Sequence, residues 1–491
     1  MLIFSRIVLP SGRYLAKVEL SGRKIVPTSC AAGGLSSSLF FFNNVSILHT
    51  HFLLTHFLIF LIMLFSTFAL STFLSLSSAW SISRRQDAPY VYIPVEFLYG
   101  ADSRVTTNIT FGTALSSQPI TVVMDTGSSD AWIWQSGAIV HWGSPYLFNP
   151  GPCNLTVPST LTYSPLLSPT SKMQNQSSEY VYAGNSKIVQ GILYSNDTLT
   201  FPTNTSTTLP NTQLALENSA ILRLQDNGSC APPPSYDKGI IGLAPFINAN
   251  TTQGPSFRQN LFDAAVIKTK TMVSWFNSPP SSLGTLSGGL LLGSIDTSKL
   301  ISPLVRVSNV VTTGQVGYYI PKPNITFNGR SFVPDQNTTC LLDSGTHADY
   351  LPFGPLGNLG SAFFNASGGM LVDENGVVAY NGSCESIPWG LNITYSFAGV
   401  TSGKSIDIDV PLRNYARGAT LNGTEDSGIC LLNLEVGGCT FGAPFYSGAV
   451  VAVDDGSGVL ALAQGGVSKA GSVVDAASLK VFGVKESFDY V

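Results

Sequence analysis

Charge is what this sequence has least of. Asp, Glu, Lys and Arg together make up 11% of its 491 residues, the formal net charge is -4, and no long basic run occurs. That leaves no electrostatic footprint for nucleic acid. Histidine is scarce as well: of five, His49, His51 and His56 lie in or beside an apolar N-terminal stretch. His141 and His347 remain, too few for a histidine-rich metal site, and no nucleophile-elbow signature accompanies either one. No Cys-x-x-Cys pair is present, which argues against zinc and thioredoxin chemistry. No glycine loop runs into Lys-Ser or Lys-Thr, so a phosphate cradle is missing too. Neither a metal nor a cofactor is expected.

Against those absences stand 44% hydrophobic residues and abundant Gly, Ser, Thr and Asn. The length suits two domains plus extra segments, and the composition suits a β-rich, loop-rich globular protein. From about Tyr90 onward short β-type runs are bounded by Gly, Pro, Asn and Ser clusters, as at 120–124, 289–292, 304–307 and 449–453. Helical signals are few, the best being 256–266 after Pro255 and 356–364.

Residues 1–85 read as a leader. The stretch 52–76 is almost wholly apolar and uncharged, long enough to span a membrane. A shorter reading starts at Met63 and ends on the small-residue pattern Ser77-Ser78-Ala79, which favours a signal peptide over 63–79 and makes 1–62 an extension of the gene model. Arg84-Arg85 is then a candidate dibasic processing site. If 52–76 is instead retained, the protein is membrane-anchored. Loss of the leader removes Cys30 and leaves six cysteines, an even set that reads as disulfides in an oxidising compartment. Sequons at Asn108, Asn154, Asn175, Asn196, Asn204, Asn324, Asn337, Asn392 and Asn422 fit a glycoprotein on the secretory route. The C-terminal residues lack the hydrophobic tail of a GPI anchor. A secreted protein is expected, with an acidic vacuole as the alternative destination.

A long-range repeat carries the chemistry. An apolar run leads into Asp125-Thr126-Gly127-Ser128 and is followed much later by Ile240-Ile241-Gly242. Leu341-Leu342 leads into Asp343-Ser344-Gly345-Thr346, followed by Thr440-Phe441-Gly442. Two halves related by a pseudo-twofold axis would bring both aspartates to one cleft. Paired carboxylates cannot both ionise cheaply, so they share a proton and supply a general base and a general acid together. Gly127 and Gly345 let the backbone approach the carboxylates. The hydroxyls of Thr126, Ser128, Ser344 and Thr346 can satisfy their lone pairs and cross-link the loops.

These residues, from Val123 to Trp132 and from Cys340 to Thr346, resemble the pepsin-like aspartic proteases, particularly the secreted fungal type. The resemblance runs from about Tyr90 to Gly466 and extends to Lys238–Ala244 and Gly289–Asp296. It implies a mostly β, bilobal fold with lobes at 86–300 and 301–491. It also implies a monomeric, pepstatin-sensitive endopeptidase acting on peptides or proteins at acid pH, with Asp125 and Asp343 catalytic. In that family a flap tyrosine hydrogen-bonds a tryptophan after the first motif; Trp132 matches the tryptophan, and Tyr182 is the better match for the tyrosine, with Tyr180 the alternative. Cys384–Cys430 matches a second-lobe disulfide of the family, Cys340–Cys439 is expected between neighbouring strands at the second loop, and Cys153–Cys230 is the pair that remains.

The chain also departs from the family's pattern. His347 replaces a small hydroxyl residue, so substrate contacts there are expected to be altered or pH-sensitive. Ala443 stands where acid-acting members often carry Asp, which predicts an optimum less extreme than theirs; a peak below about pH 2.5 counts against it. No long propeptide fits between Arg85 and the first strand. Insertions at 143–178 and 200–230 enlarge the first lobe and are placed to reshape or block the cleft. A catalytically silent binding or inhibitor-like protein of the same fold is the other functional reading.

Overall fold

The computed structural model of the chain describes residues 7–8, 14–15 and most of 90–480; within that last range the longest stretches outside the description are 225–237, 246–255 and 418–427. Residues 52–76, 63–79 and Arg84, with Arg85, lie outside it, as do Cys30 and Cys230. The chain divides into two compact units, Met1–Arg84 and Arg85–Val491. In the first, Ile7–Val8 pairs antiparallel with Tyr14–Leu15. Among the described residues no helix is long and apolar enough to cross a membrane.

The second unit is mostly β. Its largest sheet has 15 strands and draws on sequence from both ends of the unit. Thr285–Leu292 lies between Val91–Leu98 and Thr271–Phe276; the latter pairs with Ala449–Asp454, and that strand with Val459–Gln464. Thr271–Phe276 and Ala449–Asp454 are buried along their whole length, which is why neither alternates apolar with polar residues. The same sheet continues through Val105–Phe111 and Ile120–Asp125 to the long strands Ala131–Ser144, Thr207–Arg223, Lys187–Phe201 and Lys172–Tyr182. A seven-stranded and a four-stranded sheet are built from strands between Tyr318 and Phe441.

Helices are short. Phe257–Asp263 and Asn358–Ala366 occupy the two expected places, and a third, Ala443–Gly448, was not legible from periodicity because it is under two turns long. Pro444 in its first turn suits a helix start. Arg258, on the first helix, crosses to the later part of the chain. Its guanidinium donates to the carbonyl of Leu243 (2.6 Å) and pairs with Asp455 (2.9 Å), bracing the segment that follows Ile240–Gly242. Because both charges are paired and hydrogen-bonded, their burial is tolerable.

Candidate active site

Each half builds its aspartate loop in the same way. Ile120–Asp125 runs parallel to Ile240–Gly242, which in turn lies antiparallel to Ala131–Ser144. In the second half Thr339–Leu342 runs parallel to Thr440–Phe441, which lies antiparallel to Asp349–Leu351. The main chain then ties each loop down: Leu243 N donates to Asp125 O (2.6 Å), and Asp343 N to Phe441 O (2.9 Å). The apolar residues before each aspartate anchor the strand in the core, and the loop itself is left at the core's edge.

The two loops lock together beneath the carboxyls. Thr126 N donates to Ser344 Oγ (3.0 Å) and Ser344 N to Thr126 Oγ1 (2.9 Å). Ser344 Oγ donates to Met124 O (2.6 Å), and Thr126 Oγ1 donates to Leu342 O (3.0 Å). Above this lock, Asp125 accepts from Gly127 N (2.8 Å) and Ser128 Oγ (2.5 Å), while Asp343 accepts from Gly345 N (3.0 Å) and Thr346 Oγ1 (2.5 Å). The glycines are needed for closeness, not for turn geometry. A Cβ on Gly127 would stand 2.5 Å from Asp343 Cγ, and one on Gly345 would stand 2.6 Å from Asp125 Oδ1. Burial and the facing Asp343 carboxyl together push the Asp125 carboxyl well above the usual range. A pair so placed holds a proton through acid and into neutral pH.

Over the loops lies the hairpin of Lys172–Tyr182 and Lys187–Phe201. Of the two candidate tyrosines, Tyr182 is the one whose hydroxyl accepts from Trp132 Nε1 (2.7 Å); Tyr180 is buried in the apolar cluster around Trp132 and Trp134. Tyr182 also donates to Asp130, whose carboxyl is raised by burial to about 7. Lys187 lies 4.4 Å from the Tyr182 ring, and burial, with Arg104 next in weight, lowers its ammonium to about 7. Beneath the hairpin is a cleft of about 880 Å³ onto which Asp125, Asp343, Tyr182 and Lys187 open. Leu222 and Arg223, in the second of the two insertions, also line it, so the enlarged first half shapes one wall.

His347 lines the same cleft. Burial, reinforced by Arg104 and Arg417, drops its imidazole to about 3, so it is neutral through most of the acid range and does not titrate near its ordinary value. Cys340 is joined to Cys439 and Cys384 to Cys430. Cys153 is disulfide-bonded, and Cys230 lies outside the described residues. Among the described residues no group of three or more His, Cys, Asp or Glu is placed to hold a metal.

Several residues of this neighbourhood escaped the sequence reading. Tyr446, on the short helix, hydrogen-bonds Thr126 Oγ1 from below (2.7 Å). Asp349 is buried and accepts from Gly442 N (2.7 Å) and Tyr415 OH (2.8 Å). Asp349 carried a readable signal, a carboxylate opening an apolar strand, whereas nothing local marks Tyr446.

A family model for eukaryotic aspartyl proteases matches residues 105–464. Candidapepsin-4 of Candida albicans (strain WO-1) is 27% identical over 284 residues, 57% of this chain and 58% of that protein. Secreted aspartic protease 6 of Candida albicans is 28% identical over 292 residues, 59% of each chain. Candidapepsin-3 of strain WO-1 is 26% identical over 302 residues, 61% of this chain and 64% of that protein. The chain thus spans roughly three fifths of the length of the curated relatives it matches. With the matched region enclosing both aspartate loops, the hairpin above them and the central sheet that carries them, the chain belongs to the eukaryotic aspartyl protease family, the pepsin-like enzymes.

Proposed function

We propose that the protein is a secreted aspartic endopeptidase that hydrolyses peptide bonds with a water molecule held between Asp125 and Asp343. The two lobes, 86–300 and 301–491, each contribute one carboxyl. In the reaction the ionised carboxyl takes a proton from the water, whose oxygen attacks the peptide carbonyl carbon. The protonated carboxyl gives its proton to the carbonyl oxygen, and collapse of the tetrahedral species breaks the C–N bond as the leaving nitrogen takes up a proton from the dyad. No covalent intermediate forms. Trp132 holds Tyr182 over the substrate, and the Thr126–Ser344 lock keeps the carboxyls at fixed separation.

One observation supports this reading above the others. Each carboxyl is met by the other half's glycine at a distance that excludes a Cβ, while its own loop supplies two donors. Secretion is supported by the likeness to secreted aspartic protease 6 of Candida albicans. Cleavage of a denatured protein substrate from pH 2 to 7, with and without pepstatin, beside Asp125→Asn, tests the mechanism. Pepstatin-sensitive cleavage is expected, reduced by about 10³-fold in the variant. Folded, processed protein that leaves the substrate intact, or cuts it equally well as Asp125→Asn, overturns it. N-terminal sequencing of the protein recovered from medium tests the removal of residues 1–85.

A further inference from the structure

The two aspartate loops are not held alike. In the lock beneath the carboxyls the Ser344 hydroxyl bonds only Thr126 and Met124 among the described residues, whereas the Thr126 hydroxyl has a further partner, Tyr446 OH at 2.7 Å. Thr126 Oγ1 donates its one proton to Leu342 O (3.0 Å) and accepts from Ser344 N (2.9 Å), so Tyr446 is the donor in the bond between them. The tyrosine is 1% exposed, and the helix that carries it, Ala443–Gly448, is buried throughout. The start of that helix is fastened to the second loop: Ala443 N donates to Thr346 O (2.9 Å), and Thr346 Oγ1 donates to Asp343. Gly442 N, one residue earlier, is held by Asp349 (2.7 Å). Tyr446 thus reaches from a support of the Asp343 loop to the hydroxyl that locks the Asp125 loop. A phenylalanine would fill the same space, and a buried phenol hydroxyl is costly unless it finds a partner. Here the partner is the centre of the lock.

We propose that Tyr446 is a positioning residue for the dyad: its hydroxyl fixes Thr126 against Ser344 and so sets the separation of the Asp125 and Asp343 carboxyls. This deepens the protease reading and rests on it. The Tyr446 hydroxyl bonds Thr126, not the carboxyls, and acts through that residue. Removing the shortest of the bonds at Thr126 Oγ1 leaves Ser344 N and Leu342 O to hold it. The first loop then gains freedom to move by a fraction of an ångström, the carboxyls lose their fixed spacing, and water enters between them. Each change weakens the mutual repulsion that keeps one proton on the pair, so the higher of the two dyad midpoints falls. Substrate binding rests on the cleft walls and the hairpin above, and is left as it was.

The test is Tyr446→Phe, which keeps the ring and removes only the hydroxyl. For a peptide substrate in the acid range kcat is expected to fall about tenfold with KM unchanged, since a displacement near 1 Å costs about a hundredfold and this one is smaller. Thr126→Val removes the acceptor; in that background Tyr446→Phe should change kcat by less than about twofold, the mark of two groups acting as one. The proton on the dyad is followed without turnover, from the carboxyl carbon NMR shifts of Asp125 and Asp343 as pH is raised, assigned with Asp125→Asn and Asp343→Asn. The higher midpoint should fall in Tyr446→Phe. The cations Arg104, Lys187 and Arg223, the carboxyl of Asp130 and the imidazole of His347, which also line the cleft, are the same in both chains, so a moved midpoint reports the pair. A structural role alone would lower the melting temperature and move neither kcat nor the midpoint. An unaltered kcat or an unaltered midpoint overturns the proposal, as do losses that add in full in the Thr126→Val background. So does a Tyr446→Phe chain that fails to fold, because the hydroxyl would then be holding the fold. Should the unaltered chain cut no peptide, the protease reading fails by itself, and the midpoint alone decides the part of Tyr446.

Discussion

In the first half the amide of Gly242 donates to the backbone carbonyl of Asp130 (2.5 Å); in the second the amide of Gly442 donates to the side chain of Asp349 (2.7 Å). The same task is done by main chain in one loop and by a carboxyl in the other. Where the main chain suffices, the Asp130 side chain is released to face the cleft and hold Tyr182. Where the carboxyl is used, it is buried and needs further donors, which Tyr415 supplies at 2.8 Å and Tyr395 at 3.5 Å. The halves diverge accordingly. The first carries the hairpin and the cleft-lining cations, while disulfide-bonded cysteines stand in both, Cys153 in the first and the pairs Cys340–Cys439 and Cys384–Cys430 in the second. Pseudo-symmetry is kept at the dyad's immediate donors and relaxed one layer out.

The sharpest way to break that comparison is at the glycines, where the halves are most alike. Gly127→Ala would place a Cβ 2.5 Å from Asp343 Cγ, and Gly345→Ala one 2.6 Å from Asp125 Oδ1. Each is expected to lower kcat/KM by about 10² to 10³-fold by moving the opposite carboxyl, since displacements near 1 Å cost that much. Near-native melting temperatures would show that the fold survives. If only one of the two variants loses activity, the carboxyls do not play matching parts.

One layer out, a difference is expected in place of a match. Asp349→Ala leaves Gly442 N and Tyr415 OH without their acceptor in the interior, at a cost of about 3 kcal/mol in urea unfolding. Asp130→Ala removes a bond to Tyr182 beside the open cleft and should cost about 1 kcal/mol while raising KM. Equal costs would mean that Asp130 is as structural as Asp349.

Much of this arrangement was legible in advance, and the reasons are local. The paired Asp-Thr-Gly-Ser and Asp-Ser-Gly-Thr turns after apolar runs revealed the halves, because strand, turn and close glycine all lie within a few residues of each aspartate. Trp132 and Tyr182 were readable by resemblance, and the structure separates Tyr182 from Tyr180 only through the bond to Trp132 Nε1. Tyr446 was not readable, since it reaches Thr126 across 320 residues from a helix too short to show a period. Nor was the neutrality of His347, which depends on burial and on Arg104 and Arg417, both distant in sequence. Composition shows how few charges there are; only folding shows that several of them line one cleft.

The smallest expected effect separates the halves by pH. Glu217, wholly buried on Thr207–Arg223, accepts from Ser178 Oγ (2.6 Å), and burial raises its carboxyl to about 8. An unfolded Glu releases its proton near 4.3. Between those values the folded chain holds a proton that the unfolded chain has lost, so stability from this residue is full below about pH 4 and falls as pH rises toward 8. Asp130 and Asp349, each raised to about 7, act in the same direction. His347, lowered to about 3, acts oppositely up to about 6.5, and Lys187 acts oppositely only above about 7. Comparing the unaltered chain with Glu217→Gln cancels those other contributions. The variant should lose about 2 kcal/mol less stability between pH 4 and pH 8. The gain should be largest in fluorescence from Trp132, Trp134 and Trp142, which lie in the first half around the cluster that Glu217 adjoins. Parallel pH curves for the two chains would show that Glu217 ionises as easily folded as unfolded, and the first half would then be no more sensitive to alkali than the second.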